Sequence, residues 1–177
     1  MKPQFAQTSL KARALQCLAQ REHSRAELRR KLLSHLRTRE AAGADEADDA
    51  RAAGPEQVDA VLDWLEAHQY LSPERFIESR VHARASRFGN LRIRQELAQH
   101  QLTLSPQAAQ ALKVSELERA RSVWARKFAA APASAAERAK QTRFLIGRGF
   151  SADVIRQLLR VAAQSAGRRD EVPEADE

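Results

Sequence analysis

Apolar residues recur along this chain three and four positions apart, with charged and small polar residues between them. The first stripe is Leu10, Ala14, Leu15 and Leu18, with Cys17 beside it, and the second is Leu28, Leu32, Leu33 and Leu36. Further stripes are Val58-Val61-Leu62-Leu65, Ile77-Val81 with Phe88, and Ile93-Leu97-Leu102. Then come a weak one at Ala109-Leu112, a long one at Leu117-Ala120-Val123-Trp124-Phe128, and two more at Phe144-Leu145-Ile146 and Val154-Ile155-Leu158-Leu159-Ala162. This spacing is that of amphipathic helices turning one face to a core. No sustained period-two run of Val, Ile, Thr and Tyr predicts a strand. The reading is all-α, with about nine helices.

Local signals punctuate these stripes. Ser24-Arg25-Ala26-Glu27 is a capping-box pattern, in which the serine oxygen takes an orphan backbone N–H. Gly54-Pro55, Ser72-Pro73 and Ser105-Pro106 each open a helix with proline in the tolerated first turn. Ala131-Pro132-Ala133 breaks a long basic helix predicted over 116–130. Gly149 suits a left-handed helix end, and Ser151 a cap on the last helix. The stretch Thr38–Gly54 contains no large apolar side chain and is rich in Ala, Asp and Glu. Having little to offset its ordering entropy, it is expected to be a disordered insertion. Residues 1–8 are expected to form a loose arm.

The helices fall into threes. Ser24–His35 and Gly89–His100 superimpose without gaps at an offset of 65 residues, pairing Leu28 with Ile93, Arg29 with Arg94 and Leu32 with Leu97. A fainter third copy places Leu145 and Phe150 48 residues beyond Leu97 and Leu102. A three-helix unit buries little alone, so neighbouring units stacked in a row would share their apolar faces. The expected architecture is an elongated tandem array of three three-helix-bundle repeats forming a curved, right-handed, solenoid-like arc. Its divisions are 1–72 with the acidic insertion at 38–54, 73–113, 114–165, and a flexible tail over 166–177.

Charge narrows the partners. Thirty Lys and Arg stand against 23 Asp and Glu, giving +7 at pH 7. That balance favours a polyanion, either nucleic acid or an acidic protein surface. A single cysteine excludes an internal disulfide or a cysteine metal cluster. The chain has no apolar run long enough to span a bilayer and no apolar signal core at its start, so a cytoplasmic protein without membrane contact is expected. The six glycines are scattered, and no G-x-x-x-x-G-K, G-x-S-x-G or H-E-x-x-H occurs. Catalysis, metal binding and cofactors are not expected.

The ordered set of patterns resembles the RecX family of regulatory proteins. Its carriers are Ala14-Leu15-x-x-Leu18, Arg21-Glu22-His23-Ser24-Arg25-x-Glu27-Leu28 and Lys31-Leu32. They continue through Val58-x-x-Val61-Leu62-x-x-Leu65, Tyr70-Leu71 and Glu74-Arg75-Phe76 to Gly89-x-x-Arg92-Ile93-x-x-Glu96-Leu97. They close on Leu145-x-x-Arg148-Gly149-Phe150-Ser151 and Ile155, so the resemblance covers about Leu10 to Leu159. It implies tandem three-helix repeats, binding to the RecA–DNA filament, and inhibition of RecA's recombinase, ATPase and coprotease activities in DNA repair and the SOS response. The chain departs from the family where Ser72-Pro73 replaces acids often found after Tyr-Leu, in the 38–54 insertion, and in a third repeat weakly patterned before Leu145.

On this reading the working surface is cationic. Arg80, Arg84 and Arg87 recur at helical spacing with only Glu78 nearby in sequence to balance them, and Arg92 and Arg94 follow beyond Gly89. Arg25, Arg29 and Arg30 decorate the second helix. A second basic zone holds Arg119, Arg121, Arg126, Lys127, Arg138, Lys140 and Arg143. The expected RecA- or DNA-binding face comprises Arg25, Arg29, Arg30, Arg80, Arg84, Arg87, Arg92, Arg94, Arg126, Lys127, Lys140 and Arg143. Guanidinium forks fit phosphate and carboxylate alike. Without clusters of base-reading side chains, contact to single-stranded or duplex DNA is expected through its backbone, by a monomer. His23, His35, His68, His82 and His100 are read as structural, with His35 and His100 near helix ends. The aromatics are read as packing anchors, with Phe88 the one placed for partner contact between arginine helices. Two other readings remain open on the residues: a helix-turn-helix-like DNA-binding regulator, which would bind operators as a symmetric dimer, and an α-solenoid adaptor for an unrelated acidic protein.

Overall fold

The computed structural model describes residues 9–41 and 54–167. The arm at 1–8, most of the acidic insertion and the tail beyond 167 lie outside the described residues. Eight helices follow one another: α1 (Leu10–Gln20), α2 (Arg25–Ala41), α3 (Pro55–Ala67), α4 (Pro73–Ala85), α5 (Asn90–Gln99), α6 (Pro106–Ala125), α7 (Ala135–Gly147) and α8 (Ala152–Gly167). There is no strand among the described residues. No described helix is long and apolar enough to cross a membrane.

Helix starts follow from serine and proline. The Oγ of Ser9, Ser24, Ser105 and Ser134 accepts from the backbone N–H three residues on, at 3.2, 3.1, 3.2 and 3.2 Å. Each cap of this kind contributes about 1 kcal/mol. Pro55 and Pro106 occupy first-turn positions. Helix ends share one device. In α5, Leu102 N–H donates to Leu97 O and Gln101 N–H to Ala98 O, with Gln101 at φ 60°. In α7, Phe150 N–H donates to Leu145 O and Gly149 N–H to Ile146 O, with Gly149 at φ 81°. The end of α3 repeats it with Tyr70, Leu65 and Gln69 (φ 59°). These are Schellman closures, and they show why Leu97-Leu102 and Leu145-Phe150 match at an offset of 48: each pair ends a helix.

Three expectations are corrected. The described chain has eight helices rather than nine, because the weak helix after Ser105 and the basic helix from Glu116 are one rod, α6. That rod ends at Ala125, so Phe128 lies beyond it. Nothing between Lys113 and Glu116 breaks a helix: no Pro or Gly intervenes, and Ser115 Oγ bonds back to Ala111 O at 3.0 Å as helical serines do. Next, α2 does not stop at Thr38 but continues to Ala41, which leaves His35 inside the helix. Finally, the deeply buried side chain of α4 is Phe76, while Ile77 and Val81 are only half-buried and Phe88 follows the helix end.

The chain forms two compact units, residues 1–79 and 80–177. In the first, Leu10, Ala14 and Cys17 of α1 meet Leu28, Leu32 and Leu36 of α2 and Val58, Leu62 and Leu65 of α3. Each fully buried leucine contributes about 1.5–3 kcal/mol of transfer free energy. Trp64 lies at the edge of this core with Lys11 Nζ 3.1 Å from its ring centroid, His68 stacked at 4.1 Å and Tyr70 at 5.5 Å. In the second unit α6 packs on α8 and touches α5 and α7. Its core includes Ala120, Val123, Leu145, Phe150, Ile155 and Leu159.

Candidate functional site

The second unit holds a turn whose backbone is fixed from several sides. After α4, Arg87 and Phe88 N–H both donate to Arg84 O at 3.0 Å. Gly89 N–H donates to Arg148 O at 2.9 Å and Leu91 N–H to Gly149 O at 3.0 Å, so this turn lies directly against the α7–α8 turn. The approach needs glycine twice. A Cβ on Gly89 would fall 2.2 Å from Gly149 O, and one on Gly149 2.5 Å from Arg92 Cβ.

Beneath the turn lies a buried polar network. Glu116, 4% exposed, accepts from Asn90 N–H and Asn90 Nδ2, both at 3.0 Å. Arg119 donates to Phe88 O at 2.8 Å, Leu112 O at 3.0 Å, Ala85 O at 3.3 Å and Asn90 Oδ1. Burial lowers the Arg119 pKa, partly opposed by the Glu116 charge. Asn90 links the two, giving its N–H and Nδ2 to Glu116 and its Oδ1 to the half-buried Arg119, and such a satisfied polar network fixes geometry. Here it fixes the backbone that carries Phe88.

Four guanidinium groups surround the half-buried Phe88 ring: Arg92 at 4.9 Å from its centroid, Arg148 at 5.6, Arg84 at 5.7 and Arg87 at 5.8 Å. All lie within cation–π range. Arg84 is forked onto Glu96, with Nε at 3.0 and 3.1 Å and Nη2 at 3.0 Å, and Arg80 reaches the same carboxylate at 3.2 Å. That corrects the expectation that only Glu78 could balance this helix. Arg87, Arg92 and Arg148 make no ion pair among the described residues; Arg92 donates to Gly147 O at 3.4 Å. Arg126 adds a further cation, donating to Ser86 O at 2.9 Å and Ser122 O at 3.1 Å. One carboxylate, Glu96, thus serves a cluster of arginines arranged around an accessible ring.

The other expected residues are elsewhere. Arg25 donates to Asp63 at 2.7 Å and Glu66 at 2.6 Å, and Arg29 forks onto Asp59 at 2.7 and 3.0 Å. Hydrogen bonding from Arg29 holds Asp59 below the usual carboxylate range. Arg30, Arg94, Lys127, Lys140 and Arg143 are exposed, with no ion pair among the described residues. Arg119, expected in the second basic zone, is instead part of the buried network. His23 is fully buried. Its Nδ1–H donates to Arg21 O at 2.9 Å and its Nε2 accepts from Lys31 Nζ at 2.9 Å, while burial lowers its pKa. No group of His, Cys, Asp and Glu among the described residues could hold a metal.

Sequence reasoning overlooked Arg148 as a site residue, though it stands beside the glycine that the turn requires. It also overlooked Glu116. The available signal was an acid four residues from both Leu112 and Ala120, on the buried side of its helix.

Residues 115–159 match the family model described as RecX, third three-helix domain. The chain is 50% identical over 161 residues to a regulatory protein RecX of Leptothrix cholodnii, covering 88% of this chain and 90% of that one. It is 48% identical over 157 residues to the protein of the same name from Ralstonia nicotianae, covering 87% and 88%. The crystal structure of RecX from Lactobacillus salivarius aligns with a TM-score of 0.60 at 18% identity over 88% of this chain and 95% of that one, a likeness of fold that supports the helical repeat arrangement. Identity near one half, sustained over most of both chains, means that this chain belongs to the RecX family of regulatory proteins.

Proposed function

We propose that this chain binds the RecA–DNA filament in the cytoplasm as a monomer and restrains RecA's recombinase, ATPase and coprotease activities, with the arginines around Phe88 as its principal contact. The observation that carries the proposal is that Arg87, Arg92 and Arg148 surround one accessible ring without an ion pair among the described residues. Such guanidinium groups have forks free to take phosphate oxygens of DNA or carboxylates of a protein rim. Phe88 adds apolar contact at the centre, where binding energy concentrates in interfaces. The buried Glu116–Arg119–Asn90 network holds the turn before any partner arrives, which lowers the ordering cost of association. Arg94, Arg126, Lys127, Lys140 and Arg143 extend the positive surface of this unit and serve electrostatic steering.

The test is RecA's single-strand-dependent ATPase and strand exchange with substoichiometric amounts of this protein. The expected result is inhibition by the wild type, lost in Arg87→Glu/Arg92→Glu/Arg148→Glu and kept in Arg25→Glu/Arg29→Glu. No effect of the wild type would refute the proposal. Undiminished inhibition by the triple variant would refute its assignment to this face. A specific operator footprint in place of inhibition would favour the DNA-binding regulator.

A further inference from the structure

The first unit contains a second cationic feature, remote in sequence from the residues around Phe88. Between α1 and α2 lies a cleft of about 420 Å³. Arg13 and Gln16 line it from α1, and Lys31, Ser34 and His35 from α2, with Cys17 at its floor. Among the described residues, no carboxylate lines the cleft and nothing from α3 does.

Its charges are held in place. Lys31 Nζ stands 2.9 Å from Nε2 of the buried His23. His23 uses its Nδ1–H on Arg21 O, so Nε2 can only accept, and the ammonium keeps two further donors for the cleft. Arg13 is steadied by Gln16 Oε1 at 3.4 Å. His35 is half-buried between them, and its pKa is lowered by burial and then by Arg13 and Arg39. Among the described residues, the charges acting on this imidazole are Arg13 from α1 and Arg39 from α2. A concave site with held cations, neutral hydrogen-bonding side chains and no acid among its described lining residues has the chemistry of an oxyanion receptor.

We propose that this cleft binds a phosphate-bearing ligand, with Arg13 and Lys31 on its phosphate oxygens and Ser34 and Gln16 completing the contacts. The volume admits more than a lone phosphate, and both a free nucleotide and the backbone of a nucleic acid present the same group. An anion beside His35 opposes the field of the surrounding cations, so proton uptake accompanies binding and affinity rises as pH falls through neutrality. The proposal does not involve RecA, and its test contains none.

Cys17 is the chain's single cysteine and lines the cleft at 8% exposure, so a ligand that holds the cleft closed slows its reaction with a thiol reagent. The full-length protein is titrated separately with pyrophosphate, ADP and a short oligothymidylate, while Cys17 labelling and the His35 imidazole resonances are followed. At ten times its Kd a bound ligand slows labelling about tenfold, and the His35 pKa rises. Protection by pyrophosphate or ADP but not the oligonucleotide assigns the cleft to a free phosphate compound; protection by the oligonucleotide alone assigns it to a nucleic-acid backbone. Arg13→Glu, at an exposed position, abolishes both effects with an unchanged thermal midpoint. The proposal is overturned if no probe changes either signal, or if protection survives Arg13→Glu undiminished.

Discussion

Arg29 and Arg94 occupy matching positions 65 residues apart, yet their surroundings are opposite. Arg29 lies across from α3, whose Asp59, Asp63 and Glu66 form an acidic row that takes up Arg29 and Arg25. Arg94 is exposed without an ion pair among the described residues, and the buried acid of its unit, Glu116, is turned inward to Asn90. Arginine content therefore does not separate the two units. The acids on neighbouring helices do, because a guanidinium forked onto a carboxylate has fewer donors left for a partner. One unit uses its arginines to join α2 to α3; the other leaves several of them around Phe88 with no carboxylate to meet.

The contrast breaks most severely at Glu116. Glu116→Ala leaves the buried Asn90 N–H and Nδ2 without their acceptor, and the loss expected in urea unfolding is about 1–3 kcal/mol for each stranded donor. Glu116→Gln keeps one acceptor oxygen for Asn90 and is expected to lose less than Glu116→Ala. Next come the charge reversals, which sharpen the comparison directly. For Arg87→Glu/Arg92→Glu/Arg148→Glu, the dependence of log K on log salt for single-stranded DNA is expected to flatten by about 2, three phosphate contacts at roughly 0.7 each. Arg25→Glu/Arg29→Glu is expected to keep the wild-type slope and to lower the thermal midpoint modestly, as exposed pairs do.

A smaller effect separates the units by pH. His23 is buried in its neutral form, so its folded pKa lies below the unfolded value. The unfolded chain therefore binds more protons on the acid side, and this contribution, complete above about pH 6.5, is lost as pH falls towards the folded pKa. In wild type the unfolding midpoint of this region is expected to drop through that window, and His23→Gln should flatten the dependence in a pH series of denaturation curves. The smallest change concerns two left-handed residues. Gln69→Gly and Gln101→Gly relieve a positive φ and are expected to raise stability by about 0.5–1 kcal/mol each, measured calorimetrically.

What could be read in advance was local. Ser24, Pro55 and Pro106 mark helix starts because capping and proline geometry involve neighbours in sequence, and Gly149 marks an end for the same reason. What escaped was settled at a distance. Arg29 meets Asp59 30 residues away, and Arg25 meets Glu66 41 residues away, so no window of sequence distinguishes them from Arg94. Gly89 and Gly149 each look like an ordinary helix-terminal glycine; only the folded chain brings one against the other. The continuity of α6 escaped because Ser115 and Glu116 look like a cap and a first-turn acid when read alone, and the burial of Glu116 depends on Asn90.

Because α6 runs unbroken from Pro106 to Ala125, the family-defined third domain, which begins at residue 115, has no hinge ahead of it. Within residues 80–177, what packs on either end of α6 is clamped to one shaft, and its angular setting is an integer count of residues. Adding one alanine between Lys113 and Val114 would twist the two ends by about 100° about the axis, so an insertion here is a change of gearing, where the same insertion in a loop would be absorbed as slack.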